Sequence, residues 1–452
     1  MVTAAPPPPP PALHAERPAR HAGEADPEAA RQGHLAQIGW TPQRGGRRPL
    51  VAVLDTGVDP ASPDLAGVVL SGAGRSFVPG RPDPSSDPDG HGTHVAGIIA
   101  AASGNGVGGG GVAAARVLPV TIADRDGTTT TSALVRGLRY ASARGARVIN
   151  ISFGGRGASR AEQEAIDAAV RRGALVVAAA GNSGGRGGSL DYPGAYRQVL
   201  AVGAVGASGR PLALSARGPH VALAAPGEDV LSTAPSGVAG AQAGALVPRT
   251  GTSMAAAVVA GAAARILAKR PGMSAQQVRA LLEETARDVA PTGPDAATGA
   301  GLVDLAAALS APAPPREDAE PNDDTALARR TRALLSGTGA ARRTIRGRTG
   351  SWSDPRDSFR VALREGDTLA ARLRGPRGAD LDLVLWRPDA PGARRTRGFA
   401  RTWLAAASLG PTASERIDLV APTTGTYTIE VQGLRTPSRY ALTARRSAPS
   451  QR

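Results

Sequence analysis

Four short stretches carry side chains that could do chemistry together. In Gly251-Thr252-Ser253-Met254-Ala255 a serine follows a small-residue turn, and the apolar run from Ala255 to Leu267 behind it reads as a buried helix. A serine hydroxyl is a poor nucleophile unless a base takes its proton and a third group orients that base. Upstream, Asp89-Gly90-His91-Gly92-Thr93-His94 offers an imidazole at a glycine-flanked helix entry, and Val51-Ala52-Val53-Leu54-Asp55-Thr56-Gly57 ends an apolar strand on a carboxylate. The fourth stretch, Ala178-Ala179-Ala180-Gly181-Asn182-Ser183-Gly184, puts Asn182 in a turn after another apolar strand. Taken singly each has an ordinary reading: an acid after a strand forms turns or caps helices, and Gly-Asn is a common turn. Two histidines within four residues could point to a metal, but the third ligand and the helical i, i+4 spacing are missing. Taken together, Asp55, His91 and Ser253 stand in one of the three chain orders in which Ser-His-Asp catalysis occurs.

Such residues need a scaffold that brings them to one place. Apolar, β-branched runs recur at Leu50–Leu54, Val117–Ile122, Val148–Ile151, Ala174–Ala179 and Val199–Val205. Helical patterns lie between them at Thr93–Ala102, Ser132–Ala143 and Arg160–Arg172, and two follow, Ser253–Lys269 and one from Ser274 to about Val289. Gln277, three residues after Ser274, supplies a capping-box partner. Continuous apolar strands alternating with helices predict an α/β fold, a parallel sheet with helices on both faces. Active-site residues gather at the carboxyl ends of such strands, which is where Asp55 falls.

The 452 residues allow a large domain and a smaller one. The reading is a Pro/Ala-rich, largely unstructured arm over 1–48, the α/β domain over 49–310, a linker over 311–324 and a β-sandwich over 325–446. In the last segment period-2 alternation takes over, at Phe359/Val361/Leu363, Leu381/Leu383/Leu385 and Tyr427/Ile429/Val431. There is no cysteine, so thiolate catalysis, disulfides and cysteine-ligated zinc are excluded. No apolar run reads as long enough to span a bilayer, and the N-terminus shows no secretory signal. The net charge is +15, and residues 311–452 hold 25 Arg against 15 acidic groups, so that third supplies +10 of it. The plain reading is a solvated surface; the sharper one is a tail that concentrates the protein on anionic polymers or lipids. A specific nucleic-acid module is not expected, because aromatics are 3 % and no recognisable module of basic residues interleaved with aromatics appears.

The three motifs, in this order and spacing, resemble the subtilisin-type serine peptidases over roughly residues 35–310. The resemblance implies that Ser253 is the nucleophile, His91 the general base and then acid, and Asp55 the group that orients the ring. It implies that the Asn182 amide and the Ser253 N–H stabilise the oxyanion. Ser152-Phe153-Gly154-Gly155 resembles the segment that pairs with an extended peptide, and Asp191-Tyr192-Pro193-Gly194 the lining of the pocket for the residue before the cleaved bond. A carboxylate at Asp191 would favour a basic side chain there. Asp64, with Asn105, Val107 and Gly109 of the loop Ser103–Gly109, resembles a structural calcium loop, for which a flexible glycine loop is the alternative reading. No organic cofactor is implied. Ala257 replaces the usual proline four residues after the serine, and the 48 residues before the first strand are too few and too proline-rich for the usual propeptide. Glu320-Pro321-Asn322-Asp323, Asp380-Leu381-Asp382-Leu383, Gly425-Thr426-Tyr427 and Tyr440-Ala441-Leu442 resemble a bacterial prepeptidase-type C-terminal domain. Asp380 and Asp382 read as the solvated face of a strand. The expectation is a monomeric, secreted endopeptidase acting on proteins or peptides, set against a catalytically broken relative used for binding.

Overall fold

A computed structural model describes residues 26–43, 45–184, 190–236, 245–289, 292–316, 333–337, 339–349, 356–388, 390, 403–433 and 438–448. The chain forms two compact units that divide between Ala313 and Pro314.

The first unit is built on a seven-stranded sheet in the order Arg75–Ser76, Arg116–Thr121, Leu50–Asp55, Val148–Ile151, Leu175–Ala179, Val199–Val205, Val221–Pro226. Every pairing in it is parallel. The four central strands are buried along their whole length, as a sheet covered on both faces requires. One face packs on the helices His91–Ala100 and Thr252–Lys269, the other on Thr131–Ala143 and Arg160–Arg171. The seventh strand, Val221–Pro226, is not among the expected runs. Its sequence Val-Ala-Leu-Ala-Ala-Pro has one β-branched residue and offers little strand signal.

The serine helix Thr252–Lys269 is long and apolar enough to cross a membrane by length and composition, a stretch the sequence reading passed over. It is 94 % buried inside the unit and serves as the core's central rod. Ala257 sits in its interior, fully buried. The capping box at Ser274 and Gln277 forms, although that helix ends at Glu284 rather than near Val289.

The expected unstructured arm over 1–48 is folded from Asp26 onward. A short helix at Gly33–Gln37 buries Leu35, and Ile38 follows it into the core. Gln32 is bonded to Gly110 in both directions. The proline run drew the reading toward disorder, but it ends before this apolar anchor begins.

In the second unit two four-stranded antiparallel sheets form. One has the order Ala341–Thr349, Ser438–Ser447, Thr368–Arg374, Arg416–Val420; the other Arg356–Leu363, Gly425–Gly433, Leu381–Trp386, Leu404–Ser408. The alternating residues Phe359, Val361, Leu363, Leu381, Leu383, Leu385, Tyr427, Ile429 and Val431 all enter one core. Arg446 is buried there as well, its guanidinium donating to the carbonyls of Ser336, Gly337, Gly339 and Ala362. Asp382 departs from the expectation of a solvated face. It is 7 % exposed, because both faces of Leu381–Trp386 are covered. Burial, with the charges of Asp380 and Glu415, pushes its carboxyl up to about 6. The segment Glu320-Pro321-Asn322-Asp323 lies outside the described residues.

Candidate active site

The carboxyl end of the strand Leu50–Asp55 delivers Asp55 fully buried. Its Oδ1 accepts from Thr56 N–H at 2.8 Å and lies 2.7 Å from His91 Nδ1. His91 opens the helix His91–Ala100, which follows Gly90 in the left-handed region. Gly92 lets the helix and strand approach, since a Cβ there would lie 2.0 Å from Gly57 O and 2.9 Å from Asp55 Cβ. Burial by itself lowers the pKa of the His91 ring. The Asp55 charge and hydrogen bond, with Asp89 adding, outweigh that and leave the ring above the usual histidine value.

Asp87 holds this arrangement from behind. It is 6 % exposed, and its carboxylate accepts from Thr56 Oγ1 at 2.7 Å, Gly90 N–H at 3.0 Å, Thr93 N–H at 2.7 Å and Thr93 Oγ1 at 2.6 Å. It thereby satisfies donors at the helix start that carry no intrahelical partner. Sequence reasoning missed it; its position six residues before a threonine in the first turn was the available signal.

His94, three residues after His91, turns to the core. Its Nε2 lies 2.9 Å from Val247 O, and burial drives its pKa down to about 3. It is thus separated from the histidine that meets Asp55, and the two do not form a metal pair.

Ser253 lies in the first turn of Thr252–Lys269, 8 % exposed. Its Oγ donates to Ser152 O at 2.9 Å. Phe153, the next residue, sets its ring 5.6 Å from the His91 ring, tilted at 60° to it. One dipeptide therefore touches both the serine and the histidine. Asn150 Nδ2 donates to Ser152 Oγ at 2.9 Å and steadies that dipeptide. Asn182 reaches the same helix start: its Oδ1 accepts from Thr252 N–H and Thr252 Oγ1, both at 2.9 Å. With its oxygen fixed on Thr252, the Asn182 amide keeps its N–H groups for another acceptor. Gly251, at φ +155, leaves room for this, since a Cβ there would meet Asn182 Nδ2 at 3.3 Å.

Asp191 sits next to Asn182. It is 8 % exposed and accepts from Ser183 Oγ at 3.1 Å. A Cβ on Gly181 would fall 1.9 Å from its Oδ2. The two-residue strands Gly155–Arg156 and Asp191–Tyr192 pair antiparallel, which brings the Ser152–Gly155 segment and the Asp191 loop together. A Cβ on Gly154 would meet the Asp191 Cβ at 3.7 Å, the distance of ordinary contact.

Asp64, Asn105, Val107 and Gly109 cluster away from this site. Asp64 is fully buried and accepts from Gly109 N–H at 3.1 Å and Asn105 Nδ2 at 3.4 Å, while Asn105 Oδ1 accepts from Val107 N–H at 3.0 Å. Asp26 joins them, accepting from the N–H groups of Gly104, Asn105 and Gly106. It was missed because it fell in the arm read as unstructured. Burial pushes the Asp64 carboxyl up to about 6 against the hydrogen bonds from Gly109 and Asn105, and the Asp26 charge adds to the rise. Among the described residues no group of three or more His, Asp or Glu side chains converges as a metal site, so any cation here would depend on the amide and backbone oxygens as well.

Comparison with known proteins bears on this geometry. The family model of the subtilases, Peptidase_S8, matches residues 46–301, more than half of the chain. The chain is a subtilase. It is 41 % identical to a subtilisin of Bacillus pumilus over 266 residues, which is 58 % of this chain and 91 % of that protein. Against subtilisin E of Bacillus subtilis (strain 168) the identity is 41 % over 266 residues, and the match spans 66 % of that protein. Among solved structures, a protease from Pseudoalteromonas arctica PAMC 21717 superposes on the subtilase with a TM-score of 0.56 at 30 % identity, covering 64 % of this chain and 99 % of that one. A structure titled S41 psychrophilic protease gives a TM-score of 0.54 at 33 % identity over 63 % of this chain and 99 % of that one. All of these matches cover about two thirds of the subtilase chain or less, and the four motifs lie within the family model's span of 46–301.

Proposed function

We propose that this subtilase is a serine endopeptidase that cleaves protein or peptide substrates through Ser253, His91 and Asp55. The observation that carries the reading is the 2.7 Å contact between His91 Nδ1 and the buried Asp55, with Ser152-Phe153 linking that histidine to Ser253. In the reaction His91 Nε2 takes the Ser253 proton, Oγ attacks the peptide carbonyl, and the acyl-enzyme is hydrolysed by water that His91 activates. Asp55 keeps the ring in the tautomer with the free electron pair on Nε2 and stabilises the imidazolium. The Asn182 amide and the Ser253 N–H meet the negative oxygen of the tetrahedral intermediate. The family resemblance further supports an extracellular place of action.

The test is casein hydrolysis by the wild-type chain and by Ser253→Ala, with a serine-directed covalent inhibitor as probe. Clearing by the wild type alone, together with labelling of Ser253, supports the reading. Equal clearing by both, or no labelling, returns the chain to a binding role.

The buried Asp191 carboxylate beside Asn182 supports a preference for Arg or Lys before the cleaved bond. Profiling on a peptide library should show that enrichment, and Asp191→Asn should reduce it.

The cluster at Asp26 and Asp64 fits a structural calcium ion in chemistry: two carboxylates and the Asn105 amide oxygen are hard oxygen ligands, now met by loop N–H groups that such an ion would replace. Burial, with the Asp26 charge adding, is what raises Asp64, and a bound divalent cation would offset both. Asp26, Asp64, Asn105, Val107 and Gly109 would hold it, and it takes no part in bond cleavage. Chelator should lower the melting temperature of wild type and leave that of Asp64→Asn unchanged.

A further inference from the structure

The antiparallel sheet Ala341–Thr349, Ser438–Ser447, Thr368–Arg374, Arg416–Val420 has one face in the core and one face outward, and the outward face is arginine-rich. The pairing registers place its side chains. Arg342 lies opposite Arg445, Thr344 opposite Thr443, Arg346 opposite Ala441 and Arg348 opposite Arg439. On the other side of Ser438–Ser447, Arg374 lies opposite Ala441 and Arg372 opposite Thr443. Arg416 then lies opposite Arg372. Of these arginines only Arg348 is buried. The one acidic residue among the described positions of this face is Asp418, bonded to Arg372 and lying within 4 Å of Arg416 as well.

The far side of the second sheet differs in both charge and exposure: it carries Arg356 and Arg360 with Asp382 and Glu430, and Ser358, Asp382, Val384, Trp386 and Glu430 on it are buried, with Arg356 3.5 Å from Glu430. The solvent-facing side of the first sheet is therefore where exposed arginine collects.

From this we propose that the outward face of the Arg342–Arg445 sheet docks the phosphate backbone of a duplex nucleic acid without reading its sequence. The patch measures about 14 Å across four strands and about 20 Å along them, from strand and residue spacings of about 4.8 and 3.4 Å. A duplex presents a phosphate charge about every 1.7 Å of its axis, so a segment of that length carries roughly 12 phosphates, enough to meet every arginine of this face that is not buried. Guanidinium forks suit phosphate oxygens. Among the described residues no aromatic group stands on this face, and backbone docking needs none. A bilayer surface is the weaker partner, because surface binding to lipid draws on buried apolar area. Val420, 63 % exposed, is the one large apolar side chain that stands out on this face.

The experiment uses the full chain, blocked with a serine-directed inhibitor, and a fluorescent DNA duplex of arbitrary sequence titrated at several salt concentrations. Affinity should fall about 10³-fold between about 50 and 200 mM salt, the behaviour of six or seven phosphate contacts. Replacing Arg342, Arg346 and Arg445 by Gln should remove about three units from the slope of log K against log salt. Replacing the same three by Lys should retain most of the binding, which separates loss of charge from loss of folding. Arg356→Gln with Arg360→Gln should change nothing. The proposal is overturned if the two glutamine sets weaken binding equally, if the duplex does not bind at low salt, or if phosphatidylserine vesicles capture the chain while the duplex does not. None of these readouts depends on peptide-bond cleavage, so the peptidase assignment and this one fail separately.

Discussion

The Asp55 carboxylate does two things that one substitution separates. It orients His91 and it raises the ring's pKa. Asp55→Asn keeps the shape and removes the charge, so kcat should fall by about 10⁴, the effect seen when a triad carboxylate becomes an amide. The acid limb of kcat/KM reports the free His91, which must be neutral to accept a proton. With Asp55 present that limb should lie above the ordinary histidine value, and in the variant's residual activity it should move lower. A pH–rate profile in which the limb stays in place would separate Asp55 from the histidine's titration.

Asn182 also has two ends, an oxygen that caps Thr252 and an amide to which the proposed reaction gives the oxyanion. Asn182→Asp keeps the acceptor and loses the donor. The expected result is a fall of about 10²–10³ in kcat with little change in KM, and a melting temperature close to wild type. Asn182→Ala should lose both the rate and about 1 kcal/mol of stability through the missing cap. If the two variants melt alike, the cap contributes nothing.

At the scale of elements, the histidine helix depends on a carboxylate that is not part of its own turn. Asp87→Ala would leave Gly90 N–H, Thr93 N–H and Thr93 Oγ1 without their acceptor in a buried setting, and Thr56 Oγ1 with only Asp55 Oδ1 at 3.3 Å. Each such loss costs about 1–3 kcal/mol, and partial repair should leave a net loss of several kcal/mol, read as a fall in the denaturant midpoint. A loss under about 1 kcal/mol would mean that water replaces the carboxylate.

Elements were legible where local chemistry and burial agree. The strands Val148–Ile151 and Val199–Val205, the capped helix at Ser274 and the serine helix all carry their period, cap or apolar length in their own residues. What escaped the sequence depends on the whole fold. Val221–Pro226 is a strand because Val199–Val205 offers it an edge, and alanine-rich sequence does not announce that. Asp26 lies in a polar stretch whose partners are some eighty residues away. Asp382 alternates as a surface residue should, yet the far face of its strand is covered. The stretches that carry Asp55, His91 and Ser253 were legible because their motifs are local; the bond from Ser253 to Ser152 O was not, since it joins positions a hundred residues apart.

At the scale of the molecule, the subtilase unit carries buried neutral histidines that bear on acid stability. Burial holds His34 down to about 4 and His94 to about 3, and lowers His220 as well. When the chain unfolds these rings return to about 6.5, so below that pH the unfolded state binds protons that the folded state refuses. Each ring's contribution is therefore complete above pH 6.5 and is lost as pH falls towards the folded value, at about 1.4 kcal/mol per pH unit. His34→Gln removes one such group. Its stability relative to wild type should rise as pH drops from 6.5 to about 4, measured by denaturant unfolding at matched pH. A difference that does not vary with pH would show that His34 takes up its proton in the folded chain.

The two units have separate cores. A chain ending at Ala313 should therefore fold and hydrolyse a short peptide at the wild-type rate, and loss of activity on truncation would show that the sandwich supports the catalytic unit.

The resting Ser253 hydroxyl points its hydrogen at the carbonyl of Ser152, in the same segment along which an incoming peptide is expected to align. That oxygen is an acceptor the peptide's own backbone N–H can claim. A ligand that lies down as a strand thus evicts the hydroxyl from its perch and turns it toward the imidazole, whereas a small reagent that touches only Oγ leaves the perch occupied. Good peptides should therefore outpace small electrophiles by more than binding alone accounts for: the guest arms the host.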